Sequence, residues 1–190
     1  MRFGTTHWLS PLFPVEYVTA LTAQFCARGY ALTVLKPTEK HRYRPKLEWF
    51  APWNAHLRPS VVFDLDTFIV GDISPFLDLD PTKLWMIRQF LQAEGNRKAE
   101  SGIFVAPDND ELCARIWSAA AAQRPERDGD FLRQFEPSLI PDVIDGIYSY
   151  KAHGLRNGYP DDARVICLHG KPKNADTDGW ARELWLTSLN

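Results

Sequence analysis

The run Val61-Val62-Phe63-Asp64-Leu65-Asp66 constrains this chain more than any other stretch. Val61 to Phe63 are bulky, uncharged and β-favouring, the pattern of a buried strand. The run continues through Thr67-Phe68-Ile69-Val70, and Gly71 ends it. Alternation along an extended chain puts Asp64 and Asp66 on one side and Leu65 on the other. Two carboxylates held together repel each other unless a cation stands between them. Oxygen ligands suit a hard divalent ion, Mg²⁺ or Mn²⁺, with the remaining positions open to water or phosphate oxygens. The residues therefore admit a metal–diphosphate site. An Asp-x-Asp triplet is also common in solvated turns, and that reading stays open. The apolar run before it favours a site, because open α/β sheets bind ligands at their strand ends.

Around this strand the chain alternates between strand and helix signals. Phe3 to Trp8 reads as a first strand. A helix follows from Val15, with Val18, Leu21 and Phe25 at helical spacing and Gly29 as its stop. Tyr30 to Leu35 reads as a second strand, most simply parallel to the first. Pro45 opens a short helix to Phe50, and Ile73 to Leu77 make a helical turn after Asp72. Leu84–Ile87 and Ser101–Ala106 are further strands, with the polar segment 92–99 between them as a loop. Asp108 or Asn109 caps a helix that runs to Arg124-Pro125. Phe131 to Phe135 is a short helix. Leu139 to Ile144 is extended and interrupted by Pro141. Ala163 to Leu168 is a second strong strand, and Gly179 to Leu189 a terminal helix. This is an α/β chain with no repeat and no domain linker.

With 190 residues, one domain with a sizeable core is expected. A net charge of -2 gives no electrostatic basis for nucleic-acid binding, although a basic patch around Arg42 and Arg44 stays open. No apolar run is long enough to span a bilayer. The N-terminus lacks the apolar core of a signal peptide, so a cytoplasmic location is expected. Cys26, Cys113 and Cys167 stand far apart, which suits buried thiols in a reducing compartment better than a disulfide framework or a zinc cluster. Tryptophan is abundant. Most of it belongs in a core, and some could serve a sugar site.

Several pieces occur in a telling order: Lys46-Leu47-Glu48, the Phe63–Asp72 run, Ser101-Gly102-Ile103-Phe104, Asp128-Gly129-Asp130, Ser149 to His153, and Ala163 to Lys173. Together they resemble the GT-A fold nucleotide-diphospho-sugar transferases, and are similar to the bacterial and phage type of glycosyltransferase family 8. The resemblance covers Pro45 to Trp185. Before that only the β–α–β order and Glu16-Tyr17-Val18 fit. It implies a Rossmann-like domain with a mostly parallel mixed central sheet flanked by helices. It also implies a nucleotide-sugar donor, a UDP-sugar above all, and retention of anomeric configuration.

Position by position, the resemblance makes Asp64 and Asp66 the metal-binding pair and His169 a third ligand, with Mn²⁺ or Mg²⁺ as cofactor. An imidazole beside two carboxylates suits Mn²⁺ chemically. Lys171 matches a group that neutralises the diphosphate, and Gly170 belongs to the same motif. Asp128 matches a residue that contacts the donor sugar, and Asp130 is the next acid in that loop. Ser101 and Gly102 match a sugar-contacting segment in which Glu100 replaces an asparagine. Tyr150, Lys151 and His153 match a segment near the phosphates, and Lys46 one near the nucleotide. Each has a plainer alternative: a structural histidine, helix-capping acids, a solvated Lys171/Lys173 pair, a packed Tyr150. Asp72 reads as closing a turn.

No side chain stands out as a nucleophile, which favours a front-face reaction with electrostatic help. Two other functions compete. One is a sugar-nucleotide-binding module without catalysis, suggested by the shortness of the chain. The other is a phosphatase of the haloacid-dehalogenase type, whose motif Phe-Asp-Leu-Asp imitates. That motif carries a hydroxyl residue four positions after its first Asp, where this chain has Phe68. The acceptor, whether a glycan, lipid-linked or of another kind, is not legible in the residues.

Overall fold

A computed structural model describes residues 1–7, 13–38, 45–90, 98–169 and 173–190. Trp8, the 92–97 part of the expected loop, Arg42, Arg44, Gly170 and Lys171 lie outside the described residues.

The described strands form two sheets. The larger has the order β2 (Leu32–Leu35), β1 (Arg2–Thr6), β3 (Ser60–Phe63), β6 (Ala99–Ala106), β5 (Trp85–Arg88), β7 (Ser138–Leu139). Three of its five pairings are parallel: β1 with β2, β1 with β3, and β5 with β7. Strand β6 runs antiparallel to both of its neighbours. The smaller sheet has the order β4 (Thr67–Ile69), β9 (Val165–Cys167), β8 (Ile147–Ser149).

Period-two alternation divides the core in two. Val61 and Phe63 of β3, Ile103 and Val105 of β6, and Ile87 of β5 face one cluster. It is closed by α1 (Val15–Cys26), α4 (Gly179–Thr187) and the smaller sheet. Val62, Phe104 and Met86 face the other cluster, filled by Leu47, Trp49 and Phe50 of the 3₁₀ turn Pro45–Phe50 and by Cys113, Ile116 and Ala120 of α2 (Asp110–Gln123). Gly4 of β1 is needed there: a Cβ would stand 2.4 Å from Cη2 of the fully buried Trp49. The Trp49 indole N–H donates to Thr6 Oγ1 at 2.8 Å, so the ring cannot swing away freely.

Local sequence signals explain the helix ends. The Asn109 side chain accepts from the Leu112 amide and caps α2, while Arg124 closes it in the left-handed region. Asp72 does close a turn, accepting from the Ser74 amide and hydroxyl.

Several expectations need correction. Beyond Leu139 the chain turns through a 3₁₀ segment, Ile140–Asp142, and is not extended to Ile144, and Cys26 is exposed while Cys113 and Cys167 are buried. The run Phe63–Val70 is not one strand: it leaves the larger sheet at Asp64 and enters the smaller one at Thr67. Cross-chain hydrogen bonds set this corner, and the local sequence carries no Gly or Pro to announce it. Tyr30 lies outside β2 because its amide bonds back to Phe25 O at the helix end. Strand β8, centred on Tyr148, has no counterpart among the strands expected from the sequence.

Candidate functional site

The corner between the sheets positions the two aspartates. Thr5 of β1 donates its hydroxyl to Phe63 O at 2.7 Å and steadies the end of β3. The Asp64 amide donates to Gly102 O at 2.9 Å, and Asp66 O accepts from the Leu168 amide at 2.9 Å. Leu65 turns into the core, so the two carboxylates share the opposite side. Buried Gln24 of α1 accepts from the Ile69 amide and donates to Ser188 at the end of α4, tying the corner to both helices.

Antiparallel pairing of β4 with β9, Thr67 opposite Cys167, then carries His169 to the same place. Its backbone is left-handed at φ 35°, a conformation uncommon outside glycine. Its ring lies over β6, where a Cβ on Gly102 would stand 2.9 Å from Cε1. Phe90 packs on its other side, with ring centroids 5.5 Å apart. His169 Nε2 is buried and has no hydrogen-bond partner among the described residues. Sequence positions more than a hundred residues apart thus meet at one corner.

Two lysines serve the aspartates. Lys46 Nζ lies 2.5 Å from Asp64 Oδ1 and 3.2 Å from Asp128 Oδ2, and donates to Ser101 O at 3.3 Å. Lys173 Nζ lies 2.5 Å from Asp66 Oδ2. Asp128 reaches the site from the first turn of α3 (Asp128–Leu132). Gly129 lets that turn come close: a Cβ there would touch Ser101 Oγ at 3.3 Å and Glu100 Oε1 at 3.4 Å.

Solved structures that the fold resembles include glycosyltransferases. One, involved in the glycosylation of the major capsid of PBCV-1, matches with a TM-score of 0.61 at 13% identity, over 100% of this chain and 98% of that one. The bifunctional WbbM in its apo form matches with a TM-score of 0.66 at 9% identity, over 99% of this chain and 49% of that one. The apo form of GlyE from Streptococcus pneumoniae TIGR4 matches at 0.62 and 12% identity, over 99% of this chain and 60% of that one. The chain has a GT-A fold. No family model matches it, and no curated protein matches it in sequence. At these identities the likeness is one of fold, and the GT-A frame says where a ligand would sit without naming it.

Within the GT-A frame the remaining expected residues divide. Asp64, Asp66, His169, Asp128, Lys46, Ser101 and Gly102 come together. Lys151 joins them indirectly, its ammonium donating to His169 O at 2.8 Å. Asp130 does not: it is half-exposed and pairs with Arg133 and Arg127 along its own helix. Tyr150 is buried against Trp180, centroids 5.9 Å apart, and packs the core. His153 stands one ring further out, edge-on to Phe90, with Nδ1 beside the Ser149 amide. Lys171 and Gly170 lie outside the described residues. Lys173, which the sequence offered only as half of a solvated pair, is instead bound to Asp66. Phe68, where a phosphatase of the dehalogenase type needs a hydroxyl, is fully buried in β4.

Burial and charge set the protonation of the site. Burial would lower the Lys46 ammonium, but Asp128 and Asp64 outweigh it and hold its pKa above the ordinary value. Burial pushes the Asp64 carboxyl up to about 7; Lys46 opposes this, and Asp66 and Asp128 reinforce it. At Asp64 burial outweighs the Lys46 charge, and the Asp66 and Asp128 carboxylates add to it. Burial lowers the His169 imidazole; Asp66 opposes this, while Lys46, Lys173 and Lys151 add to it. A neutral imidazole is the form that can ligate a metal.

Among the described residues no three His, Cys, Asp or Glu side chains stand as a ready-made metal cluster. Instead an ammonium stands on each aspartate, Lys46 on Asp64 and Lys173 on Asp66. The donor set itself, two carboxylates and a buried imidazole nitrogen without a partner among the described residues, fits a divalent ion. No helix among the described residues is long and apolar enough to cross a membrane.

Proposed function

We propose that this protein is a glycosyltransferase that moves a sugar from a nucleoside-diphosphate donor, a UDP-sugar above all, to an acceptor hydroxyl. Mn²⁺ or Mg²⁺ would be held by Asp64, Asp66 and His169. The observation that carries the proposal is the corner between two sheets, where the pairing of β4 with β9 brings the segment of His169 beside that of Asp64 and Asp66, with His169 Nε2 buried and without a partner among the described residues. The glycosyltransferase fold of the neighbours supports it, and the PBCV-1 neighbour is itself described as a capsid-glycosylating enzyme.

The bound ion would supply charge neutralisation of the leaving diphosphate. This chain's residues do the rest. Asp128, steadied by Lys46, reaches the site from α3 and would accept hydrogen bonds from donor-sugar hydroxyls. Lys46 holds Asp64, Asp128 and the Ser101 carbonyl in one geometry, so orientation is set before the donor arrives. Lys171, two residues past His169, would meet the diphosphate and stabilise the charge that grows on it. With no residue assigned as nucleophile, departure and attack on one face of the sugar fit retention.

A thermal-shift screen of nucleotide sugars with and without Mn²⁺ tests the proposal. Stabilisation that requires both metal and one donor is expected, together with its loss in Asp66→Ala. Equal stabilisation of Asp66→Ala by donor and Mn²⁺ would refute the ligand assignment.

A further inference from the structure

Lys173 is the residue at this site that neither the motif nor the resemblance assigns. Its ammonium lies 2.5 Å from Asp66 Oδ2, with the two side chains only 16% and 9% exposed. It also stands 4.4 Å from the centre of the Phe13 ring, a second contact that favours a cation there. The contact joins residues 107 apart in sequence, so it belongs to the tertiary structure and not to a local turn.

A divalent ion and this ammonium cannot share Asp66 cheaply. An ion on Oδ2 would stand within about 5 Å of Nζ, where like charges repel strongly in a poorly solvated site. The ammonium therefore disfavours the ion on that carboxylate. An ammonium leaves a buried carboxylate only when another anion receives it, and the diphosphate of an incoming nucleotide is such an anion.

We propose that Lys173 is a built-in counter-ion that competes with the divalent cation for Asp66, and that a nucleoside diphosphate draws the ammonium away so that cation and nucleotide bind cooperatively. This rests on the proposed metal–diphosphate reading of the site. By linkage, whatever the diphosphate contributes to cation affinity through Lys173, the cation returns to diphosphate affinity.

The test counts bound Mn²⁺ by loss of the free-ion electron paramagnetic resonance signal, first with Mn²⁺ alone and then with UDP. Lys173→Met keeps the apolar stem over Phe13 and removes the charge; Lys173→Gln repeats the measurement should methionine not fold. The neutral variants should bind Mn²⁺ alone about tenfold tighter than the parent, as expected when a closed state holding most of the population is abolished. UDP should then raise their Mn²⁺ affinity by a smaller factor than it raises the parent's, and Lys173→Arg should behave as the parent does. Unchanged or weaker Mn²⁺ affinity in both neutral variants, with the UDP–Mn²⁺ complex still forming, would overturn the competition and leave the metal–diphosphate site standing. No Mn²⁺ bound by any form, with or without UDP, would overturn both.

Discussion

Gly102 is where backbone space and the candidate chemistry meet. A Cβ built there would stand 2.9 Å from His169 Cε1 and 3.1 Å from Ile87 Cδ1. Ordinary carbon–carbon contact is about 3.5–4.0 Å, so Gly102→Ala must displace the imidazole, the isoleucine, or both, by roughly half an ångström or more. Ile87 is fully buried and has little room to yield. His169 is already held by a left-handed backbone and by Phe90. Overpacking of this kind costs about 1–3 kcal/mol. For a chain of this size, each kcal/mol lowers the melting temperature by about 2–4 °C. The effect on the site should be larger, because a misplacement of about 1 Å can cost about 100-fold in a positioned reaction. The assay pairs urea unfolding with Mn²⁺-dependent UDP binding by calorimetry. We expect a modest fall in stability and at least a tenfold loss of binding, on the order set by such misplacement. A Gly102→Ala protein with parental stability and parental binding would refute the reasoning, since it would mean that His169 does not lie against β6.

Three further perturbations follow from the same geometry. Lys46→Met leaves Asp64 and Asp128 without their shared ammonium and should cost about 1–3 kcal/mol at pH 7, the pair being partly exposed. The cost should shrink at pH 5 as the Asp64 carboxyl, held at about 7, protonates, and an equal cost at both values would assign the loss to packing alone. Asp64 is held at about 7, above its ordinary 3.8; the folded chain therefore keeps a proton that the unfolded chain has released, and stability falls as pH rises between those values. Asp64→Asn cannot ionise, so unfolding without metal should show it about 1–3 kcal/mol more stable than the parent at pH 8 and nearly equal at pH 4; a constant offset across that range would contradict the shift. Gly4→Ala drives a Cβ into the fully buried Trp49 ring and should cost about 3 kcal/mol, so a urea midpoint near the parent's would show that the ring can move.

The frame was legible where local signals agree. Val61–Phe63 announced a buried strand, Asn109 and Arg124 bracketed α2, and the opening β–α–β unit gave parallel β1 and β2. The corner at Asp64–Asp66 was not legible, because the bonds that make it come from Gly102 and Leu168, which are distant in sequence. Strand β8 escaped notice because three residues with one half-exposed tyrosine carry almost no alternation. Among the candidate residues, spacing and resemblance singled out the aspartates and His169, whose segments the fold brings to one corner. The attachment of Lys173 to Asp66 could not, since a lysine two residues from another lysine looks solvated until the fold supplies a buried acid. Asp130 erred the other way: an acid beside a matching acid looks functional until its helix turns it toward Arg133.

The seam between the two sheets has a consequence for motion. Because β4 grows out of β3 and carries β9 with it, the imidazole and the carboxylates ride on bodies joined by the amides of Asp64 and Leu168. Any breathing that parts those bodies would expose these two amides to deuterium and pull the three side chains apart in the same event. Solvent exchange at two backbone positions thus reads out how long the corner stays assembled, with no substrate needed.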